Sequence, residues 1–452
     1  MNITIIGTGY VGLTTAVVLS YFDYNVAAVD KDEGKLNLLH KGKSPIYEPG
    51  LQNLLDEVCH TIHFTTSVAD VVPDAELIMI AVGTPSQKNG EADTRHVEEA
   101  AREIAKVCHP DKHYTLVIKS TVPIGTNRRV AQVVDIVFEE RNIQGNISVA
   151  SNPEFLQEGL ALQGAFYPDR IVVGANNDDA FEALRRLYQP ILEQTFDSPT
   201  WLPRPAAYHL PPMMATDPNS AEMIKYAANT FLALKISYIN EIAGLCEDVG
   251  ADITEIERGI GLDSRIGRRF LRAGIGWGGS CYPKDTAALL GVASQAGYQM
   301  PITEAARVVN FEQRKRIVKK IRNALKTLKG KTICILGLAF KPNTDDIREA
   351  PSLDIIRQLV AEGANVRAHD PIANSNAQQA VKDISVEFIE DVHLISHNAD
   401  ALVLVTEWET YHKLELRKLA KQMKTPILID GRNVFSPQEA IAAGFHYIGV
   451  GR

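Results

Sequence analysis

The chain of 452 residues contains only five cysteines, and none of them form a C-x-x-C pair. Scattered cysteines indicate a reducing compartment and argue against a disulfide framework or a zinc site, so we expect no metal. Basic residues are also in deficit, with 47 Lys and Arg against 55 Asp and Glu and a net charge of −8. A protein that binds polyphosphate through bulk charge would be basic, so we expect no nucleic-acid partner.

Long apolar runs are missing as well, and the sequence predicts no bilayer-spanning segment and no membrane partner. Met1 leads directly into a strand-like segment without the basic and apolar regions of a signal peptide, so the cytoplasm is the expected location. The composition, 45% hydrophobic and 23% charged, is that of a globular protein. A chain of this length is too long to fold around a single hydrophobic core, so we expect two or three domains.

Two segments share a strand–turn–helix–strand pattern. Residues 3–7 and 25–30 are the strands of the first, residues 332–337 and 365–370 are those of the second, and both patterns end in Asp. Short apolar strands that alternate with helices indicate buried parallel sheets. Residues 220–247 have apolar side chains at helical spacing, which predicts one long helix. The expected fold is α/β, with two Rossmann-like doubly wound domains joined by a central long helix.

The segments around this helix are less informative. The helix is too long to be covered by one small domain, so we expect it to bury a face against a second copy and form a homodimer. The proline-rich residues 198–218 before it are interpreted as a solvated loop or linker. A later basic run is interpreted as an exposed helix face; it comprises Arg314, Lys315, Arg316, Lys319 and Lys320.

The turn of the first pattern carries a dinucleotide fingerprint, Gly7-Thr-Gly9-Tyr-Val-Gly12, between a strand and a helix. Gly7 permits the tight turn, Gly9 lets the backbone approach a pyrophosphate, and Gly12 allows close helix–strand packing. Asp30 ends the next strand, where a carboxylate accepts ribose hydroxyls and repels a 2′-phosphate. A carboxylate at this position favours NAD over NADP, although the nearby Lys35 could accommodate the 2′-phosphate of NADP. The alternative is a glycine-rich turn that binds nothing.

The second pattern lacks this fingerprint, because Gly337 is followed by Leu-Ala-Phe-Lys341. A second dinucleotide is therefore not expected. Lys341 and Arg348 could instead hold a different phosphate ester in this crevice.

The stretch Gly276-Trp-Gly-Gly-Ser-Cys281-Tyr-Pro-Lys-Asp285 is the strongest chemical signal. Flexible glycines let a substrate approach the thiol, and Pro283 suits the first turn of a helix whose N-terminus would lower the thiol pKa from about 8.5. Asp285 is close enough in sequence to orient or deprotonate a water. The alternative, a small buried cysteine, is assigned to Cys59, Cys108, Cys246 and Cys334.

Two polar pairs have a spacing of four residues. Lys225 and Asn229 would share a face of the central helix, where a cation and an amide could stabilise an oxyanion. Glu154 and Glu158 have the same spacing, and for both pairs the alternative is a solvated surface pair. Residues 120–125 follow a strand, at the edge where ligands gather in open α/β sheets.

Taken together, these residues resemble the UDP-glucose 6-dehydrogenase family, within the wider group that oxidises UDP- or GDP-sugars. The motifs that carry the resemblance occur in order along nearly the whole chain, at residues 7–12, 82–85, 120–123, 152–159, 220–241, 276–285, 339–341 and 430–432.

The resemblance implies an NAD-binding domain over residues 1–200, a central helical dimerisation domain over 201–315 and a C-terminal UDP-sugar-binding domain over 316–452. It also implies a four-electron oxidation in which two NAD are reduced for each sugar acid. Cys281 would capture the aldehyde as a thiohemiacetal, and the thioester formed next would be hydrolysed.

Site residues are implied by matching position. Lys225 and Asn229 would stabilise oxyanions, Asp285 would support water activation, and Thr121 and Glu154 would position the water and a proton. The cofactor would contact Gly7, Gly9, Tyr10, Val11, Gly12, Asp30, Lys35, Thr84, Pro85, Ser120, Thr121, Glu158, Lys284 and Arg348. The sugar nucleotide would contact Glu154, Phe155, Leu156, Gln157, Lys225, Asn229, Phe270, Leu271, Arg272, Ala273, Gly274, Gly278, Lys341 and Arg432, with Arg265 reaching across the dimer.

One departure from the family pattern is that residues 201–212 look longer than the usual connection into the central helix. Three alternatives stay open. The same chemistry could act on UDP-N-acetylmannosamine or GDP-mannose; a two-electron β-hydroxyacid dehydrogenase would share the N-terminal fold and the catalytic lysine; and an NAD-dependent sensor or scaffold would show no turnover.

Overall fold

The structure is a computed structural model, and it describes residues 1–87 and 90–452. The chain divides into two compact units, Met1–Ala227 and Ala228–Arg452. The strands are β1 Asn2–Ile6, β2 Asn25–Val29, β3 Ile62–Thr65, β4 Leu77–Ile80, β5 His113–Ile118, β6 Asn146–Ser151, β7 Ile171–Ala175, β8 Met213–Thr216, β9 Thr332–Leu336, β10 Asn365–His369, β11 Val386–Phe388, β12 Ala401–Leu404, β13 Ile427–Asp430 and β14 His446–Ile448.

The helices are α1 Tyr10–Tyr21, α2 Glu33–Leu39, α3 Leu51–Val58, α4 Val68–Val71, α5 Arg95–Val107, α6 Thr126–Glu140, α7 Ala161–Phe166, α8 Asp178–Glu193, α9 Pro218–Val249, α10 Ile253–Gly261, α11 Tyr282–Gln295, α12 Pro301–Leu325, α13 Pro351–Ala361, α14 Asn374–Ala380, α15 Glu409–His412, α16 Leu416–Gln422 and α17 Pro437–Ala442. A short 3₁₀ turn, Cys59–Thr61, follows α3. Within the described part of the chain, no helix is both long and apolar enough to cross a membrane.

The first unit contains a sheet with the strand order β3-β2-β1-β4-β5-β6-β7-β8. Its first six strands follow the doubly wound order and are parallel, while β7 runs antiparallel to β6. The order reverses between β1 and β4, so their carboxyl ends form the crevice at which such sheets bind ligands. β1 and β4 are almost wholly buried, because helices cover both faces of the sheet.

The second unit repeats this architecture, with the all-parallel order β11-β10-β9-β12-β13-β14. Its core combines β9, β12 and β13 with apolar side chains of α9, α12 and α13, such as Ile239, Ile317 and Ile355. The expected α/β fold with two Rossmann-like sheets and a long central helix is confirmed, and α9 extends beyond the predicted 220–247 at both ends.

Two sequence interpretations hold only in part. The proline-rich segment is not simply solvated, because Trp201 packs against Gly50, the Tyr208 hydroxyl donates to the Pro168 carbonyl, and β8 adds a strand beside β7. The basic run is not uniformly exposed either, because the Arg314 side chain is buried and pairs with Asp354. In both places tertiary contacts outweigh local composition.

Candidate active site

The fingerprint turn has the geometry that a dinucleotide requires. Gly7 has a φ of +100°, and a Cβ on Gly12 would lie 1.8 Å from the Gly7 carbonyl oxygen. On Gly9, by contrast, a Cβ would meet no described heavy atom within 4 Å, which leaves open space for a phosphate. Among the described residues no side chain caps α1, so its first N–H groups and its dipole are available to an anion. The residues present therefore fit NAD.

Asp30 is held at the end of β2 beside this turn. Its Oδ2 accepts the Thr8 N–H at 2.8 Å and the Thr8 hydroxyl at 2.7 Å, its Oδ1 accepts the Asp32 N–H at 3.0 Å, and Lys35 Nζ lies 3.7 Å away. Burial alone would raise the pKa of Asp30, but these hydrogen bonds and the Lys35 charge lower it below its usual value. The carboxylate is thus ionised at neutral pH, as recognition of a ribose diol requires.

We expect Asp30→Asn to raise the KM for NAD by about tenfold to a hundredfold, because a hydrogen bond to a charged group contributes about 1.5–3 kcal/mol. Discrimination against NADP should fall in the same variant, since the charge that repels a 2′-phosphate is gone. Initial rates with both cofactors measure this. Asp383→Asn, at an exposed ion pair with Arg357, is the control, and an unchanged KM for NAD in Asp30→Asn would refute the assignment.

Asp370 is the counterpart of Asp30 in the second unit, and its environment differs. The side chain is 2% exposed. Its two oxygens accept five hydrogen bonds, from the N–H groups of Leu338, Ala339, Ile372 and Ala373 and from Trp408 Nε1. A carboxylate that already accepts five hydrogen bonds cannot also accept hydrogen bonds from ribose hydroxyls. This agrees with the absence of the glycine fingerprint in the second pattern.

The loops after β4 and β5 are tied together. The Thr84 hydroxyl donates to the Thr121 carbonyl at 2.7 Å, and the Ser120 hydroxyl donates to the Val82 carbonyl at 2.7 Å. Pro85 continues the first loop, where its carbonyl accepts the Asp93 N–H at 2.8 Å. These predicted cofactor residues therefore meet at the carboxyl edge of the first sheet.

Lys225 and Glu154 form a buried ion pair. Lys225 Nζ lies 2.9 Å from Glu154 Oε1, and the two side chains are only 4% and 7% exposed. Burial alone would raise the pKa of Glu154, but the charge and hydrogen bond of Lys225 and the Leu156 N–H lower it. The Phe155 ring lies 5.4 Å from the ammonium group. The solvated-surface interpretation is wrong for both residues.

Glu154 and Glu158 do not share a helix face, because residues 152–157 are irregular. Glu158 is half-buried in this loop and Gln157 is exposed. Residues four apart in sequence face the same side only in a helix, so the spacing of Glu154 and Glu158 does not bring their side chains together.

Cys281 is the N-cap residue of α11, with Pro283 in the first turn, as predicted. The side chain is half-buried, and Sγ lies 3.5 Å from the Ser280 hydroxyl. Cys281 therefore lies at the end of α11 that carries the positive end of the helix dipole.

One turn into α11, Asp285 is fully buried. Its Oδ2 accepts Asn229 Nδ2 at 2.6 Å, and its Oδ1 lies 2.5 Å from Lys284 Nζ. The structure thus brings Asn229, Lys284 and Asp285 together, although the sequence paired Asn229 with Lys225 and Lys284 with the cofactor.

The glycine-rich segment before Cys281 packs against loops of the second sheet. A Cβ on Gly274 would lie 3.1 Å from the Arg432 guanidinium, and one on Gly278 would lie 2.3 Å from the Glu349 carbonyl oxygen. Phe270, at the start of the segment, has a φ of +64°, a conformation that bulky residues rarely adopt outside functional sites. The predicted substrate residues Leu271, Ala273 and Gly274 are buried, while Arg272 is exposed and Lys341 is half-buried.

Two further predicted arginines belong to the second unit, and the Arg348 carbonyl accepts the Gly279 N–H at 2.9 Å, two residues before Cys281. Arg265 pairs with Asp263 at 2.6 Å and its side chain is 86% exposed. Arg348 pairs with Asp346 at 2.7 Å and is 64% exposed. Both guanidinium groups are accessible to a ligand or a partner, and their assigned roles remain predictions.

The sequence analysis did not identify several residues that hold parts of the site in place. Asn310 Oδ1 accepts the Trp277 N–H at 2.7 Å, and Arg314 Nη2 donates to the Trp277 carbonyl at 3.1 Å, which fixes the segment before Cys281. Both lie on the buried stripe of α12 with Ile317 and Ile321, a periodicity visible in the sequence. Glu48, which accepts the Gly159 and Ala161 N–H groups, follows no comparable pattern.

Comparison with known proteins covers the whole chain. Residues 1–192 match the NAD-binding domain of the UDP-glucose/GDP-mannose dehydrogenase family, residues 219–312 its central domain and residues 334–437 its UDP-binding domain. The UDP-glucose 6-dehydrogenase TuaD of Bacillus subtilis is 44% identical, with 100% of this chain and 93% of that protein covered. The UDP-glucose 6-dehydrogenase of Pseudomonas aeruginosa is 39% identical, with 100% and 98% covered.

Solved structures agree with this result. A UDP-glucose dehydrogenase from Pyrobaculum islandicum superposes with a TM-score of 0.87 at 36% identity, covering 99% of this chain and 97% of that one. A UDP-D-ManNAc dehydrogenase from Pyrococcus horikoshii superposes with a TM-score of 0.85 at 26% identity, covering 100% and 99%. Because all three domain models of the family match in order and full-length relatives reach 44% identity, the chain belongs to the UDP-glucose/GDP-mannose dehydrogenase family.

Proposed function

We propose that this protein oxidises the C6 alcohol of UDP-glucose to the carboxylate of UDP-glucuronate, with NAD as oxidant and Cys281 as covalent nucleophile. The observation that carries the proposal is the half-exposed thiol at the N-terminus of α11, with the Asp285 carboxylate one turn away. Full-length relatives at 38–44% identity that bear the name UDP-glucose 6-dehydrogenase support the substrate. A cytoplasmic location and the three domains 1–200, 201–315 and 316–452 are part of the same proposal.

Cys281 holds the half-oxidised sugar. Its thiolate adds to the C6 aldehyde to form a thiohemiacetal, so the aldehyde cannot escape. NAD would be held by the Gly7–Gly12 turn and Asp30, and two equivalents would supply the hydride acceptor for the two oxidations, of the alcohol and then of the thiohemiacetal. The second oxidation converts the Cys281 thiohemiacetal into a thioester. Water then cleaves the thioester, releasing the carboxylate and regenerating the thiol.

Five side chains support these steps. The Lys225 ammonium stabilises the negative charge that develops on the C6 oxygen, and Asn229 assists it. Thr121 and Glu154 position the reacting water and a proton. Asp285, held by Asn229 and Lys284, supports water activation at the thioester. The glycine-rich segment, Lys341 and Arg432 bind the sugar nucleotide, whose diphosphate suits the two cations.

UDP-N-acetylmannosamine is the second candidate substrate, because the structure from Pyrococcus horikoshii has nearly the same fold. Sequence identity favours UDP-glucose, with 36% to the UDP-glucose enzyme against 26% to the other. Steady-state rates with UDP-glucose, UDP-N-acetylmannosamine and GDP-mannose separate the candidates. A higher kcat/KM for either of the other two would refute UDP-glucose.

We expect two NADH for each UDP-glucose consumed to completion, because Cys281 retains the aldehyde for the second oxidation. The final NADH absorbance is measured in reactions that contain a known, limiting amount of UDP-glucose and excess NAD. A yield of one would instead favour the two-electron β-hydroxyacid dehydrogenase, and no yield with any sugar nucleotide would favour a sensor or scaffold.

Homodimerisation through α9 is also proposed. Phe231, Tyr238 and Leu245, spaced by seven residues and 61%, 51% and 56% exposed, form the α9 stripe. Large apolar side chains in such a row are typical of a helix that packs against another helix. A two-fold interface would bury the stripe of both copies at once. Arg265, exposed in the same unit, would then be free to reach the partner's substrate.

We expect Phe231→Glu to raise the dimer dissociation constant by at least about a hundredfold, because burying one such side chain contributes about 1.5–3 kcal/mol and the interface contains it twice. Sedimentation velocity over a range of concentrations measures this. Ile441→Glu, equally exposed on α17, should leave the dimer intact. A wild-type monomer, or an unchanged dimer of Phe231→Glu, would contradict the proposed interface.

A further inference from the structure

Glu222 is a buried carboxylate on the second turn of α9, and neither its sequence neighbourhood nor the proposed chemistry assigns it a role. Glu222 is only 3% exposed. Oε2 accepts the Gly125 N–H at 2.6 Å, and Oε1 accepts the Asn127 N–H at 2.8 Å and the Ser151 hydroxyl at 3.2 Å. One carboxylate thus joins α9, the start of α6 and the end of β6.

The contacts with Gly125 and Asn127 form a helix cap supplied from a distant part of the chain. Gly125 is the N-cap residue of α6, has a φ of +87° and has no side chain with which to cap the helix itself. Glu222 provides the missing acceptor, and its negative charge suits the positive end of the helix dipole. Burial raises the pKa of Glu222 to about 6 despite these donors, so the carboxylate remains ionised at neutral pH.

The same contacts fix the 120–125 loop relative to Lys225. At its start, the loop is held by the Ser120 hydroxyl and by the bond from Thr84 to the Thr121 carbonyl. At its end, it is held by Glu222, three residues before Lys225 on the same face of α9. Ser120, Thr121, Glu222 and Lys225 line one small cavity of about 10 Å³, close to the room that one water needs.

We infer that Glu222 is a positioning residue, which locks α9 to the 120–125 loop and so places the Lys225 ammonium for catalysis. The inference rests on the proposed function, in which Lys225 stabilises the charge on the C6 oxygen. We assign Glu222 no contact with the cofactor or the sugar; it acts through Lys225. Small displacements are sufficient for a large effect, since a shift of about 1 Å can cost on the order of a hundredfold in rate.

A double-mutant cycle with Lys225 tests the inference. Glu222→Gln keeps the shape of the side chain but turns an NH₂ group towards one of the two backbone N–H donors. We expect kcat with UDP-glucose to fall by about a hundredfold in the otherwise wild-type protein. In the Lys225→Met background the same change should lower kcat by less than about threefold, because the group that it misplaces is absent.

Two further variants complete the design. Glu222→Asp retains the charge but is one methylene too short to reach both N–H groups, and we expect a loss of about tenfold; it serves if Glu222→Gln does not fold. Asn177→Ala removes the side-chain cap of α8, whose Oδ1 accepts the Ala180 N–H at 3.0 Å. This control should lower the melting temperature without changing kcat.

The outcomes separate the inference from the function. If Glu222→Gln turns over at the wild-type rate, or if its effect multiplies fully with that of Lys225→Met, the positioning role is refuted while the proposed function stands. If the wild-type protein produces no NADH from UDP-glucose, the function fails, and the inference fails with it.

Discussion

We expect Cys281→Ser to lower the steady-state rate of NADH formation by on the order of a thousandfold, because a serine alkoxide is far harder to generate than a thiolate. The first oxidation needs no thiol, so a mixing experiment should show up to one NADH per active site before turnover stalls. A helix N-terminus cannot ionise a serine hydroxyl to the extent that it can ionise a thiol, whose intrinsic pKa is far lower. Rapid-mixing absorbance at limiting enzyme measures both phases.

Cys59→Ser is the matched control, because Cys59 is also half-buried but lies in a 3₁₀ turn rather than at a helix N-cap. It should retain the wild-type rate and a yield of two NADH per sugar. A Cys281→Ser enzyme that forms two NADH per sugar near the wild-type rate would eliminate covalent catalysis at this residue.

The second large effect is expected at the buried ion pair. Lys225→Met should lower kcat by about 10²–10³-fold, the usual loss when one oxyanion-stabilising donor is removed. It should also lower the free energy of unfolding by about 3–5 kcal/mol, because the buried Glu154 carboxylate is left without its partner. Steady-state kinetics and urea denaturation give the two quantities.

The double variant Lys225→Met/Glu154→Gln separates catalysis from stability. Removing the second charge should restore most of the lost stability, since no ionised group remains buried and unpaired. Activity should not return, because the cation is still missing. Lys31→Met, at an exposed pair with Glu103, should change stability by less than about 1 kcal/mol and leave kcat unchanged. Recovery of kcat in the double variant would show that Lys225 acts only on the fold.

Local patterns predicted the elements that depend on local physics. The fingerprint at Gly7–Gly12 and the apolar strands around it specify a tight turn, and a turn involves only neighbours in the chain. The helix after Cys281 followed from Pro283, which fixes the backbone angle at its first turn. The length of α9 followed from its periodicity.

Contacts between residues that are distant in sequence could not be predicted from local patterns. Asn229 and Asp285 are 56 residues apart, Lys225 and Glu154 are 71 apart, and Glu222 and Gly125 are 97 apart. No periodicity connects such positions, because contact between them depends on how whole helices and strands pack.

The sequence by itself determined the α/β architecture and the preference for NAD, and it singled out Cys281 as the candidate nucleophile, since each depends on short segments whose conformation follows from their own residues. Only the tertiary structure decided that Lys225 is paired with Glu154, that Asp285 rather than solvent holds Asn229, and that Arg314 is buried. The physical reason is burial. A charged side chain excluded from water must find a partner, and which partner it finds is settled by packing rather than by spacing along the chain.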